Sequence, residues 1–226
     1  EGLSTRGVSS PNEPWWLQLL CLSLVVMRCQ PLRRALVFYL SYECMERRDY
    51  EFVLGLVSSF FGQKHIQKRF QVIENKPITG WEIWFQVEFS VFLEDQLEDS
   101  LAWWDREFQY SIDRRKARHR EHMAIDFVFR KKRAALDQYI ALEIKQNTSV
   151  KSCIRGMMED TCKISLVKAS HDDLRSMWTL GVHPVVEETE LNEIINEYAD
   201  HFNVRLNNNC IESHPIKGTG FSYTLF

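Results

Sequence analysis

The chain has 226 residues, 28 Lys and Arg against 31 Asp and Glu, a formal net charge of −3, and 45 % hydrophobic residues. That balance excludes a disordered polymer and a polycation that would hold nucleic acid through bulk charge alone. The length allows one large domain or a domain with a substantial appendage.

Residues 1–14, EGLSTRGVSSPNEP, form a polar leader rich in turn residues. The apolar run Trp15 to Met27 contains Gln18 and falls short of the roughly 20 residues of a membrane span. Glu1 and Glu13 precede it in place of a basic cluster, which argues against a signal peptide. A cytoplasmic protein is the expectation, with a secreted toxin domain as the other reading. Six cysteines (Cys21, Cys29, Cys44, Cys153, Cys162 and Cys210) include no CxxC pair, so zinc spacing is absent and reduced thiols are expected.

From Trp15 to about Phe61 the pattern is helical and apolar, and Pro31 predicts a break into two or three helices. NKPITG at 75–80 reads as a linker. The expected division is therefore a helical region over 1–79, for dimerisation or partner docking, and a second domain over 80–226. Trp81 to about Trp104 reads as a long helix, with the pair Trp103-Trp104 capping the core at its end. Trp84, Phe85, Val91 and Phe92 fall on one side, and Glu88 lies among them. An acid in an apolar stripe needs a partner or a metal, or it takes up a proton. Pairing with an arginine at the stripe's edge is the alternative.

Charge is distributed unevenly. Between Asp113 and Arg133 nine basic residues (Arg114, Arg115, Lys116, Arg118, Arg120, Arg130, Lys131, Lys132 and Arg133) stand against three acids, whereas Glu187 to Asp200 holds six acids and no Lys or Arg. The two zones cancel in the total. A strand is expected over 124–130 and a second from Leu136 to Lys145. An amphipathic helix follows from Ser149 to about Lys168, then a strand over 176–182 and an acidic helix over 189–202. NVRL (203–206) and the terminal FSYTLF read as short strands. The succession of helices and strands predicts a mixed α/β sheet, without a membrane partner.

Within YIALEIKQ (139–146), Ile140, Leu142 and Ile144 share one strand face, and Glu143 and Lys145 share the other. A hairpin turn centred between Ala134 and Ala135 sets Asp126 opposite Glu143. Two carboxylates on strands about 4.8 Å apart repel, and a divalent cation between them removes the repulsion. Lys145 could orient water or offset charge on a phosphate. Hard oxygen ligands beside an ammonium suit magnesium-assisted phosphodiester hydrolysis. Read blandly, Glu-x-Lys is a solvated face with a weak ion pair.

Asp126, followed seventeen positions later by Glu143-Ile144-Lys145, resembles the D…(D/E)xK signature of the PD-(D/E)XK nuclease superfamily, the restriction-endonuclease-like fold. The resemblance covers about residues 80–185. Ile125 stands where the motif's proline would be. The resemblance implies an αβββαβ core beside the N-terminal helical region, with Mg²⁺ or Mn²⁺ as cofactor. It implies Asp126, Glu143, the Ile144 carbonyl and Glu88 as metal ligands, with Glu82 as the substitute for Glu88. Lys145 would position or activate water, and Gln146 would be accessory. The implied activity is a DNA endonuclease, in a defence, mobile-element or toxin setting. An RNA endonuclease, or an inactive nucleic-acid-binding or scaffold member, is the alternative. The basic zone would track phosphates, and the N-terminal helices could support a homodimer. His119, His122 and His65 are further candidates for metal or phosphate.

Overall fold

The computed structural model describes residues 30–97, 99–111, 122–136, 138–163 and 174–226. In these segments lie helices α1 (Gln30–Gly62), α2 (Lys64–Asn75), α3 (Glu82–Asp95), α4 (Val150–Lys163) and α5 (Glu188–Phe202). The strands are β1 (Leu101–Ser111), β2 (His122–Lys131), β3 (Tyr139–Gln146), β4 (Leu174–Pro184), β5 (Glu212–Pro215) and β6 (Phe221–Leu225). They form one six-stranded sheet in the order β1-β2-β3-β4-β6-β5, mixed because β3 and β4 run parallel and every other pair antiparallel. The parallel pair follows from the crossover: α4 carries the chain between β3 and β4, as a helical connection must for parallel neighbours. No helix among the described residues is long and apolar enough to cross a membrane.

Contacts divide the chain into Glu1–Met45 and Glu46–Phe226, not at residue 79. The physical reason is aromatic. Phe60 and Phe61 of α1 pack with Phe85 of α3, Phe70 of α2 packs with Phe61 and with Trp84 of α3, and Phe89 of α3 meets Phe127 of β2, so residues from about 50 onward share one core with the sheet. Pro31 sits in the first turn of α1, where its missing N–H costs nothing. Glycine 62 then ends that helix. On the other side of the sheet, α4 and α5 bury Cys153, Ile154, Met157 and Met158 against Leu191, Ile194 and Ile195. Close approach there depends on Gly181 of β4. A Cβ at that position would stand 3.0 Å from Cys153 Sγ and closer still to Met157 Sδ.

Two further sequence expectations change. The long helix ends at Asp95, and Trp103 and Trp104 lie in β1 instead of capping a helix. Glu94 and Asp95 at a helix C-terminus oppose the macrodipole, and the aromatic run that follows suits a strand. NVRL forms no strand; the strand on that edge of the sheet is β5, a few residues later. The hairpin register is the expected one: Phe127 pairs with Leu142, Val128 with Ala141 and Phe129 with Ile140. Of the cysteines, Cys44, Cys153 and Cys210 are free thiols. Cys21 and Cys29 lie outside the described residues.

Candidate functional site

The β2–β3 ladder stops at Phe127 and Leu142, and the site begins there. Asp126 is the next residue on β2. Its Oδ2 accepts the backbone N–H of Ile144 at 2.8 Å, so a side-chain oxygen satisfies a strand donor beyond the paired stretch. Oδ1 accepts from the Gln86 amide of α3 at 3.1 Å. Glu143 lies on β3 with 2 % exposure, flanked by the buried Leu142 and Ile144. Lys145 follows two residues on, and its Nζ meets Oδ2 of Asp160 at 2.7 Å.

α3 supplies an acid, but from its first turn. The buried positions of α3 are Phe85, Gln86, Phe89, Phe92 and Leu93. At helical spacing Glu82 falls in the middle of that face. Burial raises the Glu82 carboxyl above its ordinary pKa; Lys145 opposes the rise, Asp126 adds to it, a backbone bond from Gln146 opposes it, and Asp160 adds to it. Glu82 is thus electrostatically coupled to Asp126, Lys145 and Asp160. Glu88 is directed elsewhere: it pairs with Arg69 of α2 and accepts from the Trp84 indole at 3.2 Å. The expectation that Glu88 reaches the site is corrected in favour of the substitute, Glu82. The stripe that suggested Glu88 relied on Val91, which is 58 % exposed. Because Ile83, Val87 and Val91 all face outward, α3 is apolar nearly all round, and periodicity could not choose its buried side.

Three carboxylates (Glu82, Glu143 and Asp160) therefore act on one ammonium, Lys145, and Asp126 in turn acts on Glu82. Burial works against that ammonium, yet the bond to Asp160 and the charges of Asp160, Glu143 and Glu82 outweigh it and raise its pKa. The net charge of such a cluster is negative when its acids are ionised, which favours a cation. Among the described residues no group of three or more His, Cys, Asp or Glu stands ready to hold a metal ion. A magnesium ion does not need one, since one or two carboxylates with water are its usual protein complement. The oxygen donors here fit that chemistry.

Comparison with family models, curated proteins and solved structures gives no match.

The other candidates fall away from this cluster. His65 is exposed on α2. His119 lies outside the described residues, as do Arg114, Arg115, Lys116, Arg118 and Arg120, and the side chain of His122. Lys131 is not a free phosphate contact, because its Nζ lies 3.3 Å from Asp49 Oδ1 and 4.8 Å from the Phe52 ring centroid. His183 is fully buried between the Pro184 carbonyl and Thr224 Oγ1, each at 2.8 Å, a structural histidine. Two site residues escaped the sequence reading. Gln86 carried a signal, being polar one turn after Glu82 and between Phe85 and Phe89. Asp160 carried a weaker one, beside the apolar face of α4.

Proposed function

We propose that the chain is a metal-dependent nuclease of the PD-(D/E)XK kind, acting on DNA as an endonuclease. The observation that supports this best is the bond from the Ile144 backbone to Asp126, the first acid joined to the motif's middle residue, with the charge of Glu143 acting on Lys145 on the same strand. The run of α3, three strands, α4 and β4 has the αβββαβ order that the resemblance implies. Asp126, Glu143 and the Ile144 carbonyl would hold Mg²⁺ or Mn²⁺, with Glu82 in place of Glu88. When bound, such a cation supplies Lewis acidity toward a phosphoryl oxygen and lowers the pKa of a bound water. Lys145 donates hydrogen bonds to water or to a phosphate oxygen, where charge develops in the transition state. Gln86 fixes the Asp126 carboxylate.

Plasmid nicking tests this reading. Cleavage of supercoiled DNA with magnesium, and its loss in EDTA, is the expected result. Cleavage of single-stranded RNA alone would move the substrate to RNA. Binding without cleavage would leave a nucleic-acid-binding scaffold.

The two acids of α3 separate in the same assay. Glu82→Gln is expected to lower the rate on the order of 10²-fold and to raise the magnesium requirement, as loss of a participating acid does. Glu88→Gln is expected to leave cleavage nearly unchanged, because its half-exposed pair with Arg69 is worth about 1 kcal/mol or less. Equal losses in both variants would return Glu88 to the site.

A further inference from the structure

Lys145 is supported at two points by the same helix. A Cβ on Gly156 of α4 would come within 3.3 Å of Lys145 Cδ and 3.6 Å of its Cγ, so the missing side chain leaves a channel for the lysine stem. Asp160 lies one helical turn further along, with 2 % of its side chain exposed, and its Oδ2 meets the lysine head at 2.7 Å. Gly181, the register partner of Lys145 on β4, holds the helix close enough for both contacts. Channel and acid thus come at i and i+4 on one side of α4.

We propose that Gly156 and Asp160 form a seat for Lys145, in which Asp160 is the positioning residue that fixes the ammonium on the strand face it shares with Glu143. The consequence for rate rests on the nuclease reading; the seat itself does not. A lysine on four rotatable carbons would otherwise have to be ordered at each turnover. Held by one carboxylate, it retains further N–H donors for water or phosphate. Misplacement by about 1 Å is the kind of error that costs on the order of 10²-fold in rate.

The test uses the full chain in three variants, Asp160→Asn, Asp160→Glu and Gly156→Ala. One readout is kcat and KM for magnesium-dependent plasmid cleavage. The other is ¹³C relaxation of the Lys145 ε-carbon in lysine-labelled protein, assigned with Lys145→Arg. Asp160→Asn is expected to lower kcat about 100-fold at unchanged KM and to free the ε-carbon; Asp160→Glu is expected to recover part of both. Alanine is a better helix former than glycine, so Gly156→Ala should lower the rate without lowering the melting temperature, which a merely structural role would not do. An ε-carbon as rigid in Asp160→Asn as in the wild type overturns the seat. Should Asp160→Asn not fold, an unchanged rate and unchanged relaxation in Gly156→Ala overturn it. Wild-type protein that cuts nothing, yet loses Lys145 rigidity in Asp160→Asn, would keep the seat and reject the nuclease.

Discussion

Glu143→Ala is expected to abolish cleavage, by on the order of 10³-fold or more, while the protein still melts cooperatively. The substitution removes one of the acids crowded round Lys145, so self-repulsion within the cluster falls as the proposed metal ligand is lost. Asp126 is not equivalent, although the sequence suggests that it should be. Its carboxylate is the acceptor for the Ile144 N–H and for Gln86. Asp126→Ala therefore strands a strand donor and an amide, at a cost of about 1–3 kcal/mol for a buried unsatisfied group. Asp126→Asn keeps an oxygen for Ile144, so it should lose activity with a smaller loss of stability. Plasmid nicking and urea denaturation on the three variants check this. Cleavage by Glu143→Ala within a few-fold of wild type would remove the site assignment.

Asp49→Ala is expected to be strongly destabilising while it leaves the acidic cluster around Lys145 untouched. Asp49 of α1 has 1 % of its side chain exposed and receives Arg175 Nε at 2.6 Å, a second guanidinium contact, Ser176 Oγ at 3.1 Å and Lys131 Nζ at 3.3 Å. Arg175 also bonds Gln138 at 2.9 Å, which ties the start of β3 into the same network. Removing the anion leaves two partly buried cations facing each other, and breaking a buried pair in this way costs about 3–5 kcal/mol. For a domain of this size about 1 kcal/mol moves the melting temperature by roughly 2–4 °C, so a fall near 10 °C is expected. The measurement is a thermal melt of Asp49→Ala beside Ser176→Ala, which removes only one neutral bond and should shift far less. A fall under about 2 °C for Asp49→Ala would show that the network holds little of the stability.

The local chemistry of the hairpin was legible in the sequence. Alternation along YIALEIKQ separated Leu142 and Ile144 from Glu143 and Lys145, and the turn near Ala134 and Ala135 set the register that the ladder has. Both are short-range properties: strand period and turn position depend on residues a few places apart. The amphipathic face of α4 followed from the same logic, since it buries one side only. What the tertiary structure decided was every question of direction. A helix apolar all round, such as α3, carries no record of which face meets the sheet, and only packing against Phe60 and Phe127 turned Glu82 inward and Glu88 toward Arg69. The stretch of α1 up to Phe61 was likewise readable as helical but not as part of the core, because the pairing of Phe61 with Tyr223 spans most of the chain. Asp49 with Arg175, and Lys145 with Asp160, belong to the same class. A charge pair between separate elements has no periodicity to reveal it; it exists only once the backbone has brought α1 to β4, or α4 to β3.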